Sequence, residues 1–559
     1  MEKLDVLEEI WISLKWNGLY QKTRFVVLLL PVVALVVQNY SVVFIGKSVG
    51  HRCRQPQSLN VTIDGQVIDI VSNYSSVHLN VSYKECTIDV LNGTAVVYST
   101  HCIEGYSYLE DDVSTFVPEW NLVCERRYLS DASQTIYVVG QMVGVLLTRF
   151  ADTHGRRVMY LVSSMLSCFA SISSAFATNY EIYLAANFIT GIFVLNSYQL
   201  AGIIVLEMMP KSRRALPEQV QSVLWSASLL LLCFLAFITR HLSWRYVQVI
   251  LSLTTLYMLF QPWLIDESLR WLYVTKQYKQ AEQLIRKIAR INKVDPQRAL
   301  DVFNKSVMSE SQSLAQQSDV DNIKLFEELN TNVDSQDQEL STKESSLLMF
   351  FKNKNLFKVT AITSFLLLVD VFAYEGLIMI SPELTPDFYL GFTLAALTDF
   401  PAAVLFILLI NRIGRKRSIG LLHLMAGTLL LMSTLLLHTS LSDRIPGNFW
   451  MSVVLSLLGR LTLSAGYSSV LLYVPELFPT SIRNTGYALA LLMSYFASMV
   501  SPYSRSLSKQ LPWAPNVVFG VMCVTIPLAI RRLPETMNKD LPQTLKDMER
   551  NMRKAMKKS

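Results

Sequence analysis

The sequence predicts an all-α membrane protein with twelve transmembrane helices in two pseudo-symmetric six-helix halves. Three observations predict it: twelve apolar runs of near-spanning length, a shortage of charge, and short charged segments that recur at a nearly constant offset.

A helix needs about 20 apolar residues to cross a bilayer. The runs 25–45, 133–150, 158–178, 183–206, 220–239, 244–265, 357–380, 388–410, 419–438, 449–473, 485–502 and 515–531 approach that length. Of 559 residues, 51% are hydrophobic and 17% charged, whereas a soluble chain carries about 25% charged residues. Lipid is therefore the expected solvent. The net charge of +6 does not point to nucleic acid, because the bases sit in short loops between apolar runs. That is the positive-inside pattern. The first 24 residues mix acids, bases and Gly18 and lack the apolar core of a cleavable signal, so the first run is expected to remain as a span.

Orientation follows from the loops. Arg156-Arg157, Lys211-Ser212-Arg213-Arg214 and Arg415-Lys416-Arg417 all follow even-numbered runs, which places those loops, and both termini, in the cytoplasm of a plasma-membrane protein. The loop 46–132 carries four acceptor sequons, at Asn60, Asn73, Asn80 and Asn92, beside Cys53, Cys86, Cys102 and Cys124. Four sequons within 33 residues read as an extracellular glycosylated loop, and the four cysteines as two disulfides of open connectivity. Asp64-Gly65 between Val/Ile-rich stretches predicts a β-hairpin there. Cys168, Cys233 and Cys523 lie in apolar runs and read as packing residues.

The chain thus divides into an amphipathic N-terminal segment (1–24), expected along the inner membrane surface, a first half (25–265) and a cytoplasmic loop (266–356). A second half (357–531) and a basic cytoplasmic tail (532–559) complete it. In the cytoplasmic loop, Tyr278 to Ile291 reads as an amphipathic helix with Ala281, Leu284, Ile285 and Ile288 on one face. The stretch from Ser309 to Ser345 reads as a mobile polar segment.

Internal recurrence separates this chain from other twelve-helix proteins. Glu207-Met-Met-Pro210-Lys-Ser212-Arg-Arg214 closes the fourth run, and Glu476-Leu-Phe-Pro479-Thr-Ser481-Ile-Arg483 closes the tenth, 269 residues later. Gly155-Arg156-Arg157 recurs as Gly414-Arg415-Lys416 after 259 residues, and Glu267-Ser268 as Glu535-Thr536 after 268.

These residues carry a family resemblance. Asp152, Gly155, Arg156 and Arg157 resemble the loop motif between helices two and three of major facilitator transporters. Glu119-Trp120-Asn121-Leu122-Val123-Cys124, Glu267-Ser268-Leu269-Arg270-Trp271-Leu272, Asp399-Phe400-Pro401-Ala402 and Glu476-Leu477-Phe478-Pro479-Thr480 resemble the organic cation, carnitine and anion transporter family within that superfamily. Thr148 and Thr153 replace the motif's Gly and Arg, Asn411 replaces its second-half Asp, and Asp266 and Leu269 replace two prolines. The resemblance implies an inner gate in which Asp152, Arg156 and Arg157 pair with Glu207 and Arg214. Gly414, Arg415, Glu476 and Arg483 would repeat it in the second half. The bases alone are also explained by topology; the acids are not.

Charges inside the runs cost about 2.5–3.5 kcal/mol each at a helix centre, so they should face a partner or a cavity. Asp370, Glu375, Asp399 and Arg460 qualify. Asp399 and Arg460 lie at similar depth and are placed either to pair or to meet substrate. If they pair, Asp370 and Glu375 are left as uncompensated acids for a cationic group or a proton. Tyr198, Tyr374 and Tyr467 are further substrate-binding candidates. By the resemblance, the position twelve residues after Arg483 distinguishes cation from anion carriers, and here it holds the neutral Tyr495.

The expected function is transmembrane transport of a small organic ion by alternating access, leaning to organic cations or amine-bearing zwitterions. The alternatives are an organic-anion carrier and a binding or scaffold protein on the same fold. The sequence holds no Walker A, nucleophile elbow or metal cluster, so neither an enzyme, a cofactor nor a metal is expected. The expected partners are the bilayer, the organic ion, and a coupling proton or counter-substrate.

Overall fold

The computed structural model describes residues 3–56, 60–63, 66–69, 79–92, 94–108, 113–210, 213, 215–308, 350, 352–438, 447–479, 482–537, 539 and 542–556. Among the described residues, twelve helices, some of them in more than one piece, occupy the expected runs. In the first half they are α1 (Leu19–Tyr40), α2 (Tyr128–Leu147), α3 (Arg156–Ser173), α4 (Tyr180–Glu207), α5 (Ala215–Ile238) and α6 (Trp244–Leu264). In the second they are α7 (Lys354–Ile380), α8 (Phe388–Arg412), α9 (Arg415–His438), α10 (Asn448–Leu477), α11 (Arg483–Val500) and α12 (Ala514–Ile530).

Eight of these, all but α2, α3, α11 and α12, are by themselves long and apolar enough to cross a membrane. The polar residues of α2 and α3 are turned into protein: Ser130, Asp131, Ser133, Gln134 and Gln141 on α2, and Ser163, Ser164, Ser167 and Ser171 on α3, are all buried. Lipid therefore meets the apolar remainder of each helix.

The two halves repeat the same packing. α2 lies on α4 as α8 lies on α10, α3 on α4 as α9 on α10, α1 on α5 as α7 on α11, and α3 on α6 as α9 on α12. Small residues make the α2–α4 contact close. A Cβ on Gly140 would sit 2.2 Å from the Phe188 carbonyl oxygen, and one on Gly144 would sit 2.4 Å from that of Ile192.

Two spans depart from regular helix. α6 winds as 3₁₀ helix over Leu253–Leu259. α8 breaks at Thr398, between Phe388–Leu397 and Asp399–Arg412. Pro401 lacks an amide hydrogen, and its ring presses on the carbonyl four residues back, which opens the ladder at that point.

The loop between α1 and α2 is a β-rich cap. The strands Asn60–Ile63 and Gln66–Asp69 pair with Ile63 opposite Gln66, which is the hairpin expected around Asp64-Gly65. Leu79–Tyr83, Thr87–Asn92 and Ala95–His101 form a three-stranded antiparallel sheet. The open disulfide connectivity is resolved as Cys53–Cys102 and Cys86–Cys124. Of the sequon asparagines, Asn80 and Asn92 are exposed on strands, and Asn73 lies outside the described residues. Glu119 fastens the cap to α6, accepting a hydrogen bond from the Trp244 indole at 2.6 Å and pairing with Arg245 at 2.5 Å.

At the opposite end, which carries the basic loops, the expected amphipathic helix is Tyr278–Asn292, with Ala281, Leu284, Ile285 and Ile288 buried. The N-terminal helix Lys3–Ser13 departs from the expectation of a surface helix. Val6, Ile10, Trp11 and Leu14 are buried in one cluster with that apolar face, because a facing apolar stripe is a better cover than a wet interface. The tail holds a helix, Leu545–Met556, with Met548 and Met552 buried against the second half. The polar stretch from Ser309 to Ser345 lies outside the described residues.

The α2–α4 contact makes a test. Gly144→Val should cost about 1–3 kcal/mol by overpacking and reduce the monodisperse protein seen by size exclusion in detergent. Gly202→Ala, with nothing within 4 Å of the added Cβ, should leave it unchanged.

Candidate functional site

The recurring segments converge at the basic-loop end of each half. Gly155 and Gly414 have φ of +101° and +94°, backbone that favours glycine. Each also faces a carboxylate: a Cβ would come within 2.6 Å of Glu267 Oε2 at Gly155, and within 2.8 Å of Glu535 Oε2 at Gly414. These acids cap the helices that follow. Glu267 accepts from the amides of Arg156 (3.0 Å), Arg157 (3.2 Å) and Ser268 (2.9 Å). Glu535 accepts from those of Arg415 (3.0 Å), Lys416 (3.1 Å), Thr536 (3.0 Å) and Met537 (3.1 Å). A carboxylate at a helix start meets otherwise unsatisfied N–H groups and the positive end of the helix dipole.

The side chains repeat this pattern. Arg156 lies 3.5 Å from Glu207, and Arg415 lies 3.5 Å from Glu476. Arg157 donates to the Pro262 carbonyl (2.8 Å), and Lys416 to those of Arg531 (2.8 Å) and Leu533 (2.9 Å). Each basic pair therefore joins the fourth and sixth helices of its half. Two expected pairings differ. Arg157 meets the Pro262 carbonyl in place of Glu207, which pairs with Arg156. Arg483 donates to the Phe478 carbonyl at 3.3 Å and has no acidic partner among the described residues. Arg214 lies outside them. The Asp152–Arg156 pair (3.0 Å) leaves Asp152 73% exposed, so it adds little, and Asn411 at the equivalent place is exposed.

In the membrane interior, Asp399 and Arg460 do pair, at 3.3 Å, both buried. Two carbonyls take up further donors of the arginine there. Arg460 Nε donates to the Ala395 carbonyl at 3.0 Å, and its NH1 to the Tyr374 carbonyl at 3.4 Å. The Tyr374 hydroxyl donates to Asp399 at 2.9 Å and accepts from the Trp225 indole at 3.2 Å. A single network thus joins α5, α7, α8 and α10 and crosses between the halves.

Asp370 is not the uncompensated acid that the sequence suggested. His423 Nε2 lies 2.5 Å from Asp370 Oδ1, with both side chains fully buried. His423 Nδ1 faces the Ile419 carbonyl at 2.8 Å. A carbonyl only accepts, so Nδ1 carries hydrogen, and the short Nε2–carboxylate contact requires a second proton between its atoms.

Glu375 differs from the other three charges. Its carboxylate is half-buried and accepts hydrogen bonds from Ser498 and from Ser501 (2.9 Å). No base pairs with it among the described residues. Tyr40, Tyr467 and Tyr495 lie within its electrostatic reach. Tyr40 packs on Trp225 at 6.5 Å, and Tyr467 on Tyr374 at 5.8 Å, between ring centroids.

The sequence profile described as "Sugar (and other) transporter" matches residues 85–547. The chain belongs to this family. It is 25% identical to the organic cation transporter protein of Drosophila melanogaster over 95% of this chain and 92% of that one. It is 26% identical to organic anion transporter 3 of Oryctolagus cuniculus, over 95% and 91%. The inward-open xylose transporter XylE of E. coli shares the fold, with a TM-score of 0.58 and 16% identity over 94% of this chain and 98% of that one.

The protein is thus a multi-pass transporter of the major facilitator fold, and its departures from the family pattern acquire physical roles. The Thr148 hydroxyl bonds Asn196 (3.0 Å) and Gln199 (2.8 Å), tying α2 to α4. Thr153 turns back to the Phe150 carbonyl at 3.0 Å. Asp266 accepts from Tyr20 (3.1 Å) and pairs with Arg24 (3.5 Å) and Lys287 (2.5 Å), joining α1 to the Tyr278–Asn292 helix. Tyr495 packs across the interface on Leu35, Val194 and Leu195, beside Tyr198, whose hydroxyl accepts from Gln221.

Sequence reasoning missed His423, Ser498 and Ser501 as partners of the transporter's interior acids, and Trp225 as a partner of Tyr374. A histidine inside an apolar run was the one available signal. It also missed Glu267 and Glu535 as helix caps, although their recurrence marked them.

Arg460→Ala should leave Asp399 buried without its base, a loss of about 3–5 kcal/mol, and should lower the melting temperature of the detergent-solubilised transporter. Adding Asp399→Asn should recover part of that loss in the same melting experiment.

Proposed function

We propose that this transporter carries an organic cation, or a zwitterion bearing an amine, across the plasma membrane by alternating access. In this reading both termini and the basic loops are cytoplasmic, and the β-rich cap is outside and glycosylated. No covalent chemistry is involved. The reading rests chiefly on Glu375. Asp399 is matched by Arg460 and Asp370 by His423, so the interior acid left with only hydroxyl partners among the described residues is Glu375. A half-buried carboxylate among tyrosine rings attracts a cation twice, by charge and by the ring faces. Arg460, the basic group in the same network, is committed to Asp399 and two carbonyls, which disfavours an anionic substrate. The relatives' names include both cation and anion transporters, and Tyr495 supplies neither charge.

Alternating access agrees with where the halves touch. Links between them run from the Trp225–Tyr374 bond to the β-cap end, where Phe44 packs on Phe388 (5.7 Å), Tyr389 (6.0 Å) and Phe392 (5.0 Å). At the basic-loop end the ion pairs among the described residues stay within one half. This is an arrangement closed outside, ready to open inward.

Uptake into cells expressing the transporter tests the substrate class with a quaternary ammonium, an amine-bearing zwitterion and a monocarboxylate. The ammonium or the zwitterion should accumulate, and Glu375→Gln should reduce that uptake about tenfold at equal surface level, the factor that corresponds to ~1.4 kcal/mol. Uptake of the carboxylate alone, undiminished by Glu375→Gln, rejects the proposal. Orientation has its own check: Asn80→Gln and Asn92→Gln should each remove one glycan's worth of mass from surface protein on gels.

A further inference from the structure

The gate residues recognised from recurrence all lie at the basic-loop end. Among the described residues their partners lie within their own half. A charged contact that joins the halves lies at the other end.

Asp131 stands in the first turn of α2, and Arg505 in a short helix, Tyr503–Gln510, that follows α11 in the opposite half. Arg505 grips one carboxylate oxygen of Asp131 through NH2 at 2.7 Å and Nε at 3.0 Å. It also donates to Ser130 Oγ (3.1 Å) and to the Val42 carbonyl at the end of α1 (3.5 Å). Ser506 donates to the second oxygen of Asp131. Asp131 is 2% exposed. Its hydrogen-bond donors among the described residues are Arg505 and Ser506, both from the other half. The neighbouring Thr135 adds a bond to the Met499 carbonyl at 2.8 Å.

We propose that Asp131 and Arg505 form the outer latch of the transporter, the ion pair that holds the β-cap end shut and must part for that end to open. This rests on the alternating-access reading and adds to it the residues that set the balance between its states. Separation of the halves strips Asp131 of its hydrogen-bond donors, and a buried carboxylate cannot stay ionised without partners or water. The pair therefore exists in two conditions: closed and dry, or parted and wet. That is the property a bistable gate requires.

The surroundings reinforce this. Arg127 and Lys509 bring further positive charge, against Glu383, which accepts from Ser508 at 2.8 Å. Burial, together with Arg127 and Arg505, pushes the Lys509 ammonium down to about 8. Asp131 is thus the counter-charge that makes a crowded basic cluster tolerable while the gate is dry.

The chain carries its own reporter. Its free cysteines are Cys168, Cys233 and Cys523, all buried. Cys233 lies on the α5–α8 seam at the same end, with its thiol 3.2 Å from Thr393 Oγ1 and 3.6 Å from the Tyr389 carbonyl, both in the opposite half. A thiol at that seam is reachable from outside only when the halves part.

The test uses full-length protein at the cell surface and a membrane-impermeant methanethiosulfonate applied outside, with Cys233→Ser as the blank. Asp131→Asn and Arg505→Gln should each raise the rate of Cys233 modification about tenfold, in line with the loss of charge-assisted hydrogen bonds. The exchange Asp131→Arg with Arg505→Asp should return it toward the wild-type rate. Wild-type labelling in both single variants at wild-type surface level overturns the latch. So does a rise that persists in the Cys233→Ser blank. If a single variant fails to reach the surface, Arg505→Lys, which keeps the charge but loses the two-pronged grip, carries the same test. Labelling needs no substrate, so the latch and the choice of cation fail independently.

Discussion

A charge taken out of water into a helical bundle in lipid must find a partner within the bundle, since hydrocarbon supplies none. Most of what sets this transporter apart from a generic helical bundle answers that demand. Arg460 is admitted to the interior because the Ala395 carbonyl, which also accepts from Thr398, and the Tyr374 carbonyl receive its donors beside Asp399. Asp370 is admitted because His423 shares a proton with it. Glu375 meets the demand only in part, through two serines. That incomplete solution is the one on which the proposal of a positively charged substrate rests.

The same physics at the membrane boundary accounts for the duplicated segments. In each half a glycine in left-handed backbone lets a distant carboxylate reach the start of the next helix, and the adjacent base holds the end of the sixth helix. Cap, glycine and base work only together: a side chain on the glycine would strike the cap, and without the cap several amides would lack acceptors. Duplication preserved this unit more faithfully than the surface pair beside it. Asp152 has a base to meet while Asn411 stands exposed, and an exposed pair costs little to lose.

Together these contacts make each half rigid and leave the seam between halves as the place where change is cheap. Inside a half, charges are tied across three or four helices. Across the seam, the described residues meet ring on ring, through a few hydroxyls and through the Asp131–Arg505 ion pair, gathered toward the β-cap end. Motion of one body on another follows from that contrast, since a packed interior does not deform continuously but a thin seam can part.

Much of this was legible in the chain itself. Hydropathy marked the twelve runs, eight of whose helices are long and apolar enough to cross a membrane by themselves, and the repeated Glu-x-x-Pro and Gly-Arg segments marked the two halves. The Asp-Gly pair marked the hairpin, and equal depth in α8 and α10 made a pair of Asp399 and Arg460 one of two readings. Each is a property of spacing along one element or of a pattern copied between two. Other features were decided only by the tertiary structure: the cysteine pairing, the match of Asp370 with a histidine 53 residues away, the service of Glu267 and Glu535 as caps, and the end at which the halves are joined. These depend on how each helix is rotated about its axis and which neighbour it faces. An apolar run of spanning length leaves that rotation undetermined, because lipid accepts every apolar side alike and only packing against other helices selects one.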